Sequence, residues 1–195
     1  MSSEDLDTRT RILKAALELL ENNHAAGVRM TDIARRAKIS RQAVYLHFPT
    51  RAQLLVAATH YLDELKGSEQ RLAPSRAAQT GVERLDAFVE AWTAYIPEIQ
   101  VVAKALLAMR DTDEAAADAW DERMRDMREG CEAAINALHA DNMLSGDYTR
   151  EQATDILWTM LSVRNWEQLT IDCGWHQQQY AESLKSLAQH IFIAD

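Results

Sequence analysis

The sequence predicts an all-α chain: a three-helix head containing a helix-turn-helix, followed by a larger helical body. Three observations carry that expectation. Apolar residues recur at three- and four-residue spacing. No segment sustains the period-two alternation of a half-buried strand. The six glycines and three prolines among 195 residues fall mostly between the apolar stretches. Glycine accepts left-handed backbone angles there, and proline cannot continue a helix. With 47% apolar and 26% charged residues the chain has the composition of a folded protein. Its length allows one domain, or a small one joined to a larger.

The first helix is expected over about 8–23, with Ile12, Ala16, Leu19 and Leu20 on one face. Gly27 separates it from a short helix over 30–37, and a third short helix follows over 41–47. Helix four starts near Arg51, where Thr50 and Gln53 have the spacing of a capping box. The stretch from Gly67 to Gly81, with Pro74, reads as a connector. Thr80 and Glu83 repeat the box before a helix through Tyr95. Pro97 suits the first turn of a further helix over about 97–110. An alanine-rich helical region continues to about Asn142, with Gly130 inside it. Thr149 and Gln152 open a helix expected to run through Asp172, and the last helix covers about 176–193.

Charge is distributed unevenly. The net charge is −9, yet residues 8–60 carry nine basic side chains against three acidic ones. The local balance of +6 leaves −15 for the rest. A basic head on an acidic body suggests a nucleic-acid-binding part beside a part with another task, although a basic helix face can also be merely solvated.

The chemistry is concentrated in Met30–Phe48, MTDIARRAKISRQAVYLHF. Ile33, Ala34 and Ala37 make one short apolar face, and Val44 and Phe48 make a second. Two short helices joined by a tight turn form a helix-turn-helix. Ser40 is a suitable N-cap for the second. Its outward residues are Arg41, Gln42, Ala43, Leu46 and His47. Arginine can donate twice to guanine, glutamine can pair twice with adenine, and alanine can touch a thymine methyl. Arg41, Gln42 and Ala43 are therefore the candidate base contacts.

This stretch resembles the DNA-binding domain of TetR-family transcriptional regulators. The resemblance lies in Ile33-Ala34, Ala37, Ile39-Ser40, Tyr45, His47-Phe48, Thr50-Arg51 and Leu54, spaced without a gap. It is specific over about residues 8–60. It implies a division into a DNA-binding domain, 1–66, and an effector-binding and dimerisation domain, 67–195. It also implies phosphate contacts from Tyr45, His47 and Arg51, to which Thr31, Lys38 and Ser40 are added as candidates. Three departures from the family pattern stand out. Lys38 replaces a turn glycine, at a cost of about 1–2 kcal/mol if its backbone is left-handed. Gln42 replaces a second glycine. Arg29 stands where threonine often begins helix two. Tyr45 could instead close the core of the head, and Arg41 and Gln42 could be idle surface.

In the body, the stretch from Ile156 to Ile171 is apolar nearly all round, so it has to be buried on several faces. TetR-like proteins use their last two helices as a dimer interface. That makes Leu161, Trp166, Leu169, Tyr180, Leu184, Leu187 and Ile191 candidates for it, with burial inside one chain as the competing account. A small apolar or amphipathic effector would sit among the middle helices. Candidate lining residues are Trp92, Tyr95, Leu106, Met109, Trp120, Met124, Met127 and Trp158, although methionines and aromatics at helical spacing are more often plain core.

The expected function is a ligand-responsive transcriptional regulator, most simply a repressor, that binds a palindromic double-stranded DNA operator as a homodimer. The alternative is a helical ligand-binding or enzymatic protein whose N-terminal helices are only structural. The sequence has no HExxH, no CxxC and no phosphate-binding glycine loop. No catalytic residue, metal site or cofactor is expected. The polar N-terminus and the lack of a long apolar run point to a cytoplasmic protein without membrane contact.

Overall fold

The computed structural model describes residues 3–22 and 28–194, and these form ten α-helices and one π-helical turn. Among the described residues there is no strand, only an isolated antiparallel bridge between Leu144 and Ile193. Two compact units are present. The first holds the described residues up to Lys66 together with Ile99–Arg123. The second holds Gly67–Glu98 and the chain from Met124 onward. Residues 99–123, on the body side of a division at 66/67, thus pack in the first unit.

In that unit, α1 (Ser3–Asn22) starts earlier than its apolar periodicity predicts. Gly27 and the end of the expected first helix lie outside the described residues. The helices α2 (Met30–Ala37), α3 (Arg41–His47) and α4 (Arg51–Lys66) follow, as expected from the sequence. Ile12, Leu20, Ile33, Val44, Leu54 and Leu55 are fully buried and form the centre of the core. Thr50 Oγ1 accepts from the Gln53 N–H at 3.2 Å, which supplies one half of the expected capping box.

The second unit departs from the sequence reading at three places. The expected connector contains a helix, α5 (Ser68–Ala77), with Pro74 inside it. Gly81 opens α6 (Gly81–Met109) as expected, behind a complete box in which Thr80 Oγ1 accepts from the Glu83 N–H at 3.2 Å and Glu83 Oε2 accepts from the Thr80 N–H at 3.1 Å. A Cβ there would lie 2.5 Å from the backbone nitrogen of Leu138, so the close approach to that backbone requires glycine. Pro97 does not start a new helix: α6 is continuous over Gly81–Met109.

Proline lacks the N–H that would bond the carbonyl four residues back, normally a cost of about 3 kcal/mol. Here that carbonyl belongs to Thr93, and the side-chain amide of Gln177 donates to it at 2.7 Å. Gln177 in turn accepts from the Trp166 indole N–H at 2.9 Å. With Tyr95 and Ile96 buried beside the proline, packing and the borrowed donor keep the helix intact.

Helix α7 (Glu114–Ala140) contains Gly130 as expected. The Thr149/Gln152 box is complete and opens α8. That helix does not reach Asp172: it stops at Met160, and Ser162 caps a new short helix, α9 (Val163–Glu167), followed by the π turn Gln168–Asp172. The break leaves the Leu161 carbonyl free, and the Trp92 indole N–H fills it at 2.6 Å. Helix α10 (Gln177–Phe192) closes the chain.

Candidate nucleic-acid interface

The turn between α2 and α3 is built by its own backbone. Lys38 adopts φ 56°, ψ 46°, the left-handed conformation expected for a residue in the glycine position. Its N–H bonds to the Arg35 carbonyl at 3.2 Å, and the Ile39 N–H bonds to that of Ala34 at 3.0 Å. This pair of bonds closes α2. Ser40 Oγ then accepts from the Ala43 N–H at 3.1 Å and caps α3. Arg29 precedes α2 without a side-chain cap, as its departure from threonine predicts.

Val44 is fully buried and fixes how α3 faces the core. The side chains that remain in solvent are Arg41, Gln42, Tyr45 and Leu46; Ala43 and His47 are half-buried. Thr31, Lys38 and Ser40 are exposed on the same helix-turn-helix. Tyr45 therefore does not close the core. The Arg41 guanidinium lies 5.4 Å from its ring centroid and donates to its hydroxyl at 3.2 Å. This stacking fixes Arg41 along one side of α3.

Several basic residues of the head are occupied by the protein itself. Arg9 stacks on Phe48 at 5.0 Å, Arg11 donates to the Ala37 carbonyl at 2.6 Å, and Arg36 pairs with Glu18 at 2.5 Å. Arg51 is the main correction among the candidate phosphate contacts. Its Nε donates to the Val28 carbonyl, and its Nη1 donates to both Asp113 oxygens, at 2.5 and 2.6 Å. The two side chains keep 22% and 18% of their exposure. Arg51 is thus committed to a carboxylate inside the first unit and is not offered to a phosphate. The cation that α4's dipole disfavours has its reason in Asp113, which no local spacing could reveal.

Asp113 also caps α7, accepting from the Ala115 and Ala116 N–H groups at 3.1 and 3.3 Å. Burial pushes its carboxyl pKa up. The Arg51 hydrogen bonds and charge, with the two backbone donors, outweigh burial and hold it below the ordinary aspartate value. Arg123 and Asp63 form a second α4–α7 pair at 2.5 Å, and His60 meets Glu122 at 2.8 Å.

A basic helix-turn-helix with an exposed second helix is a DNA-reading device, and its sequence is diagnostic: residues 12–58 match the family described as bacterial regulatory proteins, tetR family. The head carries the helix-turn-helix signature of the TetR family. The chain is 26% identical over 166 residues to the HTH-type transcriptional regulator CymR of Pseudomonas putida, covering 80% of this chain and 75% of that one. The fold matches a putative transcriptional regulator from Saccharomonospora viridis in complex with choline. That match has a TM-score of 0.74 and 18% identity over 97% of this chain and 99% of the other. NalD of Pseudomonas aeruginosa, the secondary repressor of the MexAB-OprM efflux pump, matches with a TM-score of 0.69 and 22% identity over the whole of both chains.

The remaining candidates fall in both units. Of the effector set, Leu106, Met109 and Trp120 belong to the first unit, and Trp92, Tyr95, Met124, Met127 and Trp158 to the second. Trp92 and Tyr95 meet edge to face at 6.0 Å, while Trp92 also serves the α8 break. Of the proposed dimer set, Leu161, Trp166, Tyr180 and Leu184 are buried within the chain. They are core residues and present no surface to a partner. Leu169 and Ile191 are half-buried, Leu187 is 48% exposed, and Ile171, outside the predicted set, is 64% exposed. The i, i+4 spacing from Tyr180 marked the inward stripe of α10; the outward one is offset from it.

Among the described residues no group of three His, Cys, Asp or Glu is placed to hold a metal, and no helix is long and apolar enough to cross a membrane. Cys131 is buried, and burial raises its thiol pKa to about 12; Cys173 is exposed.

Proposed function

We propose that the chain is a ligand-responsive repressor of transcription, which binds a palindromic operator as a homodimer and releases it when a small effector binds. The observation that carries this reading is the TetR-family match over residues 12–58, combined with the solvent-facing α3 within it. In this account Arg41, Gln42 and Ala43 meet base edges, and Thr31, Lys38, Ser40, Tyr45 and His47 meet the backbone; phosphate contacts fix register and base contacts give sequence. Residues 1–66 supply DNA binding, and residues 67–195 supply effector binding and dimerisation.

Exposed Ile171 and Leu187, with half-buried Leu169 and Ile191, support a dimer contact near the C-terminus. Leu187, Ile191, Leu169 and Ile171 form the contact in place of the residues now seen to be core. A two-fold protein reads two half-sites in successive major grooves, so a ligand that favours a different spacing lowers affinity by its differential binding alone. NalD is a repressor and the Saccharomonospora protein binds choline. Both fit a ligand-responsive repressor.

The test is selection of binding duplexes from a random-sequence pool by the full chain, together with its sedimentation mass in solution. A two-fold symmetric motif and a dimer mass are expected. A monomer, or a motif without symmetry, would overturn the dimeric reading. Failure to enrich any sequence would overturn operator recognition.

A further inference from the structure

The most outward part of α3 is occupied by a leucine. A helix turns about 100° per residue. Val44 is 0% exposed and points into the core, so the residues two positions either side of it, Gln42 and Leu46, point directly away. Leu46 is 80% exposed, the highest value among the exposed large hydrophobic residues described. So exposed, it gains almost nothing from burial on folding. It also has no donor or acceptor with which to read a base edge.

Its surroundings decide between an apolar protein partner and a nucleic acid. Lys38 and Arg41 are exposed on the turn and on α3, Arg35 and Arg36 are paired with Asp32 and Glu18, and the positive charge left over draws a duplex. In the major groove, the apolar feature of a base edge is the 5-methyl group of thymine. Arg41 does not compete for the central position, because its stacking on Tyr45 holds it to one flank of α3. Gln42 lies one turn before Leu46 on the same face, about 6 Å along the axis, and carries the amide that pairs with adenine.

We propose that Leu46 is a specificity-determining residue that reads a thymine 5-methyl group in the operator, beside an adenine read by Gln42. The proposal rests on the operator-binding reading and adds a residue and a base to it. Leu46 makes no contribution to the core, so Leu46→Ala leaves the fold and its melting temperature unchanged.

The experiment uses the full chain and the duplex it selects from a random-sequence pool. Each thymine in turn is replaced by deoxyuridine, which removes only the methyl group, and wild type and Leu46→Ala are titrated against each duplex. At one thymine of the half-site, wild type should lose about fourfold in affinity, the value of one buried methyl group at about 0.8 kcal/mol. Leu46→Ala should bind the two duplexes equally. Gln42→Ala should keep the methyl sensitivity and lose adenine preference nearby. The proposal is overturned if no thymine methyl matters, or if Leu46→Ala keeps the wild-type sensitivity. If no sequence is selected at all, the operator reading fails and takes the proposal with it.

Discussion

Replacing Asp113 with asparagine removes the charge opposite Arg51 while keeping a side-chain oxygen to cap α7. The wild-type pair is bidentate, at 2.5 and 2.6 Å, and both partners are about four-fifths buried. Exposed ion pairs contribute at most about 1 kcal/mol, and breaking a fully buried pair costs about 3–5 kcal/mol. This pair lies between those limits, so the loss should be about 2 kcal/mol. For a chain of this size that corresponds to a fall in Tm of about 4–8 °C, measured by calorimetry at neutral pH.

The pH dependence has a definite sign. Asp113 is held below its ordinary pKa, so its contribution is complete above the unfolded value of about 4 and is lost as pH falls through the folded one. The gap between wild type and Asp113→Asn should therefore close on acidification. A second readout concerns DNA. If Arg51 serves Asp113, Arg51→Met lowers stability but leaves the salt slope of operator binding unchanged; a phosphate contact would make it shallower by about 0.9. Equal Tm values, with a coupling energy between Arg51→Met and Asp113→Asn below about 0.3 kcal/mol, would refute the reasoning.

Other perturbations follow from single contacts. Lys38→Gly should raise stability by about 1 kcal/mol by relieving the left-handed backbone, while a weaker salt dependence of DNA binding would identify the lost lysine as a phosphate contact. Gln177→Ala strands the Thr93 carbonyl and the Trp166 indole N–H, and should cost about 1–3 kcal/mol by denaturant titration; no loss would show that Pro97 is tolerated without the borrowed donor. Gly130→Ala places a methyl 2.6 Å from the buried Phe88 ring and should cost about 1–3 kcal/mol through overpacking. An unchanged Tm would mean that the ring has room to move.

The head was legible because its rules are local. Ser40 caps α3 through a contact three residues away, and Lys38 sits in the left-handed turn that its position demands. The body was less legible because its decisive contacts span large sequence separations. Pro97 reads as a helix start until Gln177 is seen to serve the carbonyl it leaves free. The stretch from Arg150 to Asp172 reads as one helix until Trp92 is seen to fill the break at Leu161. Arg51 reads as a phosphate ligand until Asp113, sixty-two residues on, takes it. On α10 periodicity found an apolar stripe correctly but could not tell core from interface. Leu46 was visible as an outward residue, yet only its exposure against the buried Val44 shows how far it projects.

The most direct test of the central claim is titration of the intact protein with its selected duplex and with a scrambled duplex, at several salt concentrations. A sequence-specific regulator should prefer the selected duplex by at least about a thousandfold, and its log affinity should fall linearly with log salt, by about 0.9 per phosphate contact. Equal, weak binding to both duplexes would contradict the account and leave the basic head as scaffold.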